Sequence, residues 1–269
     1  IYPWMALAER RGVEHRRLQC REGVLDVERL TRELDDTRVR AVSVSWVQFA
    51  SGARVDLAAL GTLCRERGVY FVVDAIQGVG PLTLDVRTTP IDILACGAQK
   101  WLLSPWGSGF LYVRQPLIER LEPHDVSWLA VRGADDFTRL TDYELAWRAD
   151  ARKYEFITLP FQDFAGMNAS LELFFEIGPD EASAHTLRLA DHITEWAQSR
   201  EDVTLVTPSA PSRRAGTMAV RPANARAASE RLTKAKVAHS LREGAIRLSP
   251  HFYNTVDEVQ AALDIIGGG

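Results

Sequence analysis

The fold is decided by residues 69–113, which read VYFVVDAIQGVGPLTLDVRTTPIDILACGAQKWLLSPWGSGFLYV. Three apolar runs of strand length lie in this stretch, at 69–73, 91–96 and 110–113, and turn residues separate them. Continuous apolar runs with polar residues at their ends are typical of buried strands in a parallel or mixed sheet. We therefore predict an α/β fold in which this stretch supplies three strands.

Two polar residues stand where the first two of these strands end. Asp74 closes the first strand, and Lys100 follows the second. Ligands of open α/β sheets lie beyond the carboxyl ends of the strands. The acid and the amine are thus expected to meet over one ligand.

The rest of the chain indicates two domains. A strand at 39–47, a helix at 56–67 and the strand at 69–73 form a β-α-β unit, which favours a parallel pair of strands. A helix at 165–177 is apolar nearly all round and is predicted to be buried, and Gly178-Pro179 ends it. Shorter elements follow, including a strand predicted at 237–241. We predict a large domain with a mostly parallel sheet at 1–178 and a small α+β domain at 179–269.

Composition narrows the class of partner. The chain is 46% hydrophobic and 25% charged, with a net charge of −4, so there is no electrostatic case for nucleic acid or an anionic membrane. No apolar run reaches the ~18 residues of a membrane span. The three cysteines are odd in number and widely separated, and they fit neither a disulfide framework nor a zinc site. A cytoplasmic protein without a bound metal is expected.

Lysine is scarce, with four residues against 28 arginines (32 basic residues minus four). Lys100 lies in an apolar, glycine-rich stretch, where the pKa of an amine is lowered and imine formation with an aldehyde or ketone is favoured. Pyridoxal 5'-phosphate (PLP) needs an amine for its aldehyde and a carboxylate for its pyridine nitrogen. Lys100 and Asp74 suit that demand, although the spacing alone leaves a surface lysine and an ordinary strand-end acid open.

Five segments resemble the class V aminotransferases. They are DAIQG (74–78), GAQKW (97–101), PWGSGFLYV (105–113), RKYEFIT (152–158) and IRLSPHFYNT (246–255). That family consists of fold-type-I PLP enzymes and includes cysteine desulfurases, kynureninase and isopenicillin N epimerase. The segments follow the family's order over essentially the whole chain, so the resemblance implies the fold-type-I architecture and PLP as cofactor.

The resemblance implies a role for each matching residue at the cofactor. Lys100 would be the Schiff-base lysine and would move the proton at the substrate's Cα. Asp74 would pair with the pyridinium nitrogen, and Gln77 would hydrogen-bond the phenolic oxygen. Gln99 occupies a position near the phosphate where many members have His. Thr158 resembles the residue that reaches across a dimer interface to the partner's cofactor phosphate, which implies a homodimer with shared active sites.

Substrate binding would depend on Arg247, whose planar guanidinium suits a bidentate contact with the α-carboxylate. Without the resemblance, Arg247 would be interpreted as a solvated charge at a strand end. His251 is interpreted as a packed structural histidine in preference to a substrate-pocket residue. Trp101 and Trp106 are interpreted as wall and core.

The chain also departs from the family. Cysteine desulfurases use a nucleophilic Cys shortly before the carboxylate-binding Arg, whereas residues 237–244 contain none. Cys96 is interpreted as a small buried hydrophobe. Trp46 stands where many relatives have Asn or His. Relatives carry residues before the point that matches Ile1, including the phosphate-binding loop and the ring that stacks on the pyridine, so the chain is expected to lack the N-terminal portion.

The resemblance favours transamination of a small α-amino acid. Two alternatives remain open at this point. One is a C–S lyase, desulfurase-like or epimerase reaction on the same site, and the other is a PLP-fold protein that does not catalyse.

Overall fold

The computed structural model describes residues 1–20, 24–139 and 141–268. Its helices are α1 Tyr2–Arg11, α2 Val27–Glu33, α3 Leu57–Glu66, α4 Gln115–Arg120, α5 Phe161–Ile177, α6 Pro179–Gln198, α7 Ala225–Lys234 and α8 Val256–Gly267. Its strands are β1 Ala41–Ser45, β2 Tyr70–Asp74, β3 Ile93–Gly97, β4 Gly109–Val113, β5 Val203–Leu205, β6 Met218–Pro222, β7 Ser240–Arg242 and β8 Ala245–Leu248. Across the described ranges, no helix is both long and apolar enough to cross a membrane.

The first sheet has the strand order β1-β2-β3-β4. Strands β1, β2 and β3 are parallel, and β4 returns antiparallel to β3. Helix α3 connects β1 to β2, and its start is fixed by the Asp56 side chain, which accepts a hydrogen bond from the Ala59 N–H at 3.0 Å. The predicted β-α-β unit and the mostly parallel sheet are confirmed.

One face of this sheet forms a core with α3. Phe71, Val73 and Leu94 are buried there with Leu60 and Cys64 of the helix.

Successive side chains of a strand point to opposite faces, and on the other face Ser43, Asp74 and Ala95 are exposed. The continuous apolar run at 91–96 predicts a buried strand, and this prediction is wrong for Ala95.

Helix α5 is also less buried than its composition predicts. Only Met167 and Phe174 are buried, while Phe161 and Phe175 are exposed. The helix packs against α6 along one side. An all-round apolar sequence shows that a helix tolerates burial, but the number of covered faces depends on what packs against it.

The second sheet is antiparallel throughout, in the order β5-β6-β8-β7. It packs on helices α6, α7 and α8 around a separate core. The pattern Thr-x-x-Glu at 255–258 predicts a capping box, and this box is present at the start of α8. Strand β7 begins at Ser240, three residues later than predicted, because residues 237–239 form no ladder. Gly178 lies between α5 and α6, and the domain division at residue 178 stays a prediction.

Candidate active site

Asp74 is the last residue of β2, where its register partners are Ser45 of β1 and Ala95 of β3. One carboxylate oxygen accepts the Ile76 N–H at 3.1 Å, and the other faces the Ser45 hydroxyl at 3.4 Å. Among the described residues Asp74 forms no salt bridge with Lys or Arg. It is exposed, so its negative charge is available to a ligand above the strand ends.

Lys100 lies three residues beyond β3, in a turn that its own carbonyl closes by accepting the Leu103 N–H at 3.1 Å. Its amine has no hydrogen-bond partner within the described ranges. Partial burial lowers the pKa of the Lys100 amine, and the positive charge of Arg247 lowers it further, while the negative charge of Asp74 opposes both. Lys100 therefore lies within electrostatic reach of both the predicted acid and the predicted arginine.

Gln77 lies in the turn that follows β2 and is buried, with 6% of its surface exposed. Its side-chain oxygen accepts the indole N–H of Trp101 at 3.0 Å. An indole N–H can only donate, so the amide NH₂ of Gln77 is the group that remains available to a ligand.

Gln99 and Thr158 are placed differently from each other. The side-chain amide of Gln99 lies against the backbone of Gly97. A Cβ added to Gly97 would lie 2.5 Å from the Oε1 atom of Gln99. Thr158 lies in an exposed loop beside the exposed Phe156 and Ile157. In the described part of the chain it forms no hydrogen bond with the other predicted site residues.

Arg247 is held in the middle of β8, between Ala219 of β6 and Ser240 of β7. Its Nη1 donates to the backbone carbonyl of Phe49 at 2.6 Å, and its Nη2 lies 3.5 Å from the Ser240 hydroxyl. The buried Nε has no partner among the described residues. Arg247 thus joins the second sheet to the loop after β1 through two of its five N–H groups.

Four participants escape the sequence interpretation: Ser45, Phe49, Ser240 and Trp101. Ser45 could have been found from strand register, since it stands directly opposite Asp74. The Phe49 carbonyl has no side-chain signal and lies 198 residues from Arg247 in sequence. Trp101 is buried, as predicted for a wall or core residue, whereas the same prediction is wrong for Trp106, which is 81% exposed. The hydrogen bond from Trp101 to Gln77 leaves no pattern in the sequence.

The cysteines offer no activated thiol. Cys96 is 5% exposed, and burial together with the negative charge of Asp74 raises its pKa to about 12. Burial raises the pKa of Cys64 to about 11. A thiolate is the reactive form, so neither residue is prepared as a nucleophile. Within the described ranges there is also no cluster of three or more His, Cys, Asp or Glu side chains that could hold a metal ion.

A mostly parallel sheet that carries an acid and an amine at its carboxyl edge, followed by a smaller α+β unit with an arginine, is the arrangement of the fold-type-I PLP-dependent transferases. Solved structures agree with this class. The cystine C–S lyase C-DES, in complex with its product cysteine persulfide, superposes with a TM-score of 0.86 at 22% identity, over 97% of this chain and 70% of that one. The apo cysteine desulfurase of Thermococcus onnurineus NA1 gives a TM-score of 0.85 at 21% identity, over 100% and 69% of the two chains.

The chain belongs to the aminotransferase class-V family, whose family model matches residues 1–262. It is 30% identical over 245 residues to the uncharacterized aminotransferase YcbU of Bacillus subtilis, which is 91% of this chain and 63% of that protein. It is 29% identical over 275 residues to isopenicillin N epimerase of Streptomyces clavuligerus, covering 98% and 69% of the two proteins. The chain thus spans between about three fifths and seven tenths of these relatives' lengths.

The predicted family and fold class are therefore confirmed. The enzyme class and the PLP cofactor are confirmed at the level of the family. The roles of individual residues, the reaction and the assembly are treated below as proposals.

Proposed function

We propose that this protein is a PLP-dependent enzyme that acts on a small α-amino acid, and that transamination is its reaction. The observation that carries the proposal is the setting of Lys100. Its amine has a lowered pKa, makes no hydrogen bond within the described ranges, and lies under the influence of both Asp74 and Arg247.

The side chains at the strand ends fit PLP in chemical type. Asp74 offers a carboxylate with no basic partner in the described structure, Gln77 offers a free amide NH₂, and Lys100 offers an unpaired amine. A carboxylate beside the pyridine nitrogen, a donor beside the phenolic oxygen and an amine for the aldehyde are what the cofactor requires. Gln99 would contact its phosphate, and Thr158 would contact the phosphate of the cofactor in the partner subunit.

When bound, PLP supplies an electron sink for the negative charge that develops at the substrate's Cα. The protein's residues do the rest. A lowered pKa keeps a larger fraction of the Lys100 amine neutral, and a neutral amine can accept the Cα proton and return it. Arg247 binds the α-carboxylate through its free donors and thereby sets which bond at Cα faces Lys100.

A C–S lyase is the second candidate, because C-DES shares the fold and desulfurases are among the relatives. A desulfurase that forms a persulfide on the protein is disfavoured, since residues 237–244 contain no Cys and the Cys96 thiol has a raised pKa. Elimination of a β-substituent needs no protein thiol and uses the same Lys100 and Arg247. Epimerisation, suggested by isopenicillin N epimerase, would return the proton to the opposite face of Cα, whereas transamination would place it on the cofactor carbon.

The test is the visible absorbance of the purified protein with added PLP. Wild type should develop the visible band of PLP bound to an amine, Lys100→Ala should lose it, and Lys234→Ala, an exposed lysine of α7, should keep it. A band that persists in Lys100→Ala would overturn the assignment of Lys100. Absence of the band in wild type would favour the non-catalytic alternative.

Three product assays separate the reactions. Consumption of an amino acid only when a keto acid is present indicates transamination. Release of pyruvate without a keto acid indicates the lyase, accompanied by sulfide when the substrate is cysteine and by cysteine persulfide when it is cystine. Loss of optical rotation with no change of mass indicates the epimerase.

We also propose a cytoplasmic homodimer in which Thr158 serves the partner's cofactor. The exposed Phe156 and Ile157, at 54% and 58% exposure, would be covered at such an interface. Mixing Lys100→Ala with Thr158→Ala protomers tests this. If Thr158 acts across the interface, each mixed dimer has one intact site and activity returns. If Thr158 acts within its own subunit, no site is intact and activity stays absent.

A further inference from the structure

Trp101 and Gln77 form a buried pair beside the proposed cofactor site. The indole Nε1 donates to Gln77 Oε1 at 3.0 Å, and the two residues are 4% and 6% exposed. Because an indole has a donor and no acceptor, it determines which end of the amide faces it. Rotating the amide by half a turn would set two N–H groups against each other in a buried place, so this orientation is strongly favoured.

The indole itself has little freedom. A Cβ on Gly216 would lie 2.6 Å from the ring, and one on Gly80 would lie 2.7 Å from the Trp101 Cβ, so the backbone approaches from two sides. The ring of His251 stacks on the indole with centroids 5.2 Å apart, and its Nε2 donates to the Trp101 carbonyl at 3.0 Å. Burial lowers the pKa of His251, which favours the neutral ring in this stack.

These contacts come from two parts of the chain. Gln77 and Gly80 follow β2, whereas Gly216 precedes β6 and His251 follows β8. Trp101 is adjacent to Lys100 in sequence. The position of one indole is therefore set jointly by the elements that carry Asp74 and by those that carry Arg247.

We propose that Trp101 is a positioning residue that fixes the Gln77 amide with its NH₂ directed to the cofactor's phenolic oxygen. This inference rests on the proposed function, since it needs PLP at the ends of β2 and β3. A donor at the phenolic oxygen stabilises the form in which that oxygen carries more negative charge. It therefore lowers the pH at which the visible spectrum of the bound cofactor changes.

The experiment is a pH titration of the visible spectrum of the PLP-loaded protein. Trp101→Phe should raise the midpoint by up to about one pH unit, the size that a single hydrogen bond can produce. Gln77→Leu should raise it in the same direction. Trp196→Phe makes the same chemical change in α6, where the ring packs on the second core, and should leave the midpoint in place.

The double variant separates positioning from a general structural effect. In a Gln77→Leu background, Trp101→Phe should add no further shift, because the amide through which it acts is gone. An equal shift in both backgrounds, or an unshifted midpoint in Trp101→Phe that retains the visible band, would overturn the inference. A wild-type protein without any visible band would instead count against the proposed function.

A cofactor-free measurement keeps the pair testable if Trp101→Phe does not fold. The chain has seven tryptophans, so an NMR spectrum of ¹⁵N-labelled indoles is simple. One slowly exchanging indole N–H signal should shift in Gln77→Leu while the other signals stay in place. An unchanged set of signals would show that no hydrogen bond joins the two side chains in solution.

Discussion

The two sheets carry their functional side chains in different ways. In the first, Asp74 is the last residue of β2 and Lys100 lies beyond the end of β3, and both are exposed and without basic or acidic partners in the described structure. In the second, Arg247 lies within β8, half-buried, with its guanidinium held by a carbonyl and a hydroxyl. The first sheet thus presents groups that are free to react, and the second presents a group that is already oriented.

The cores of the two sheets also differ in how completely they are closed. On the first sheet one face is packed while Ser43 and Ala95 remain exposed on the other. In the second, Met218 and Ile246 are fully buried between the sheet and its helices. A closed core resists displacement of its residues, which suits an arginine that must hold a carboxylate at a fixed distance. The comparison predicts that stability and chemistry can be changed separately.

The largest expected effect is on stability. Leu263, which is 0% exposed in α8, fills the second core, and Leu263→Ala should lower the free energy of unfolding by about 2–5 kcal/mol, because it removes contacts and leaves a cavity. Below its melting temperature the variant should keep the visible band with PLP. Thermal unfolding followed by circular dichroism measures the first effect and absorbance the second.

Leu60→Ala is the matched change in the first core, where Leu60 is 1% exposed. Leu60→Ala should lower the free energy of unfolding by a similar amount. It should also weaken PLP binding, because α3 packs against the strands that end beside the site. If Leu60→Ala and Leu263→Ala had equal effects on the PLP band, the two cores would not differ in their influence on the cofactor site.

The next effect is on substrate binding. Arg247→Ala should raise KM for the amino acid by about 10- to 100-fold, the worth of hydrogen bonds to a charged group. Arg247→Lys should recover little of this loss, because an ammonium cannot form the planar fork. Arg242→Ala removes a charge from the neighbouring strand and serves as the control. An unchanged KM in Arg247→Ala would remove the residue from the substrate site.

Removing a helix cap should have a smaller effect, and the effect should be on stability. Thr255 caps α8 by accepting the Glu258 N–H at 3.2 Å. Thr255→Ala should therefore lower stability by about 1 kcal/mol, with no change in PLP absorbance or KM. Thr255→Ser keeps the hydroxyl and should be close to wild type in chemical denaturation. A KM change in Thr255→Ala would mean that α8 helps to orient Arg247.

Features that depend on neighbouring residues in the sequence could be predicted, whereas contacts between residues distant in the sequence could not. Asp74 and Lys100 can be predicted from the sequence because a strand end is a local feature. The helix caps at Asp56 and Thr255 can be predicted for the same reason. The importance of Arg247 came only through the resemblance, since its partner Phe49 is distant in sequence. The buried state of α5 was predicted wrongly because composition does not reveal what packs on a helix.

The smallest expected effect tests the link between the two sheets at the reactive amine. Arg247 lowers the pKa of Lys100 and Asp74 raises it. An amine reacts in its neutral form, so a lower pKa makes Lys100 reactive at lower pH. Arg247→Gln removes the positive charge, and the midpoint for Lys100 modification should move to higher pH. Asp74→Asn removes the negative charge, and the midpoint should move to lower pH. Each shift should be well under about one pH unit and should shrink with added salt.

The measurement is the pH dependence of acylation at Lys100 in cofactor-free protein, followed by mass spectrometry with the exposed Lys234 as internal reference. Wild-type Lys100 should show a midpoint below that of Lys234, because burial and the positive charge of Arg247 lower the pKa of Lys100. The opposite signs of the two variants are the decisive feature, since a general loosening of the fold would move both midpoints toward that of Lys234. Shifts of the same sign would mean that the amine responds to solvent exposure alone, and that the charge on the second sheet does not reach the site on the first.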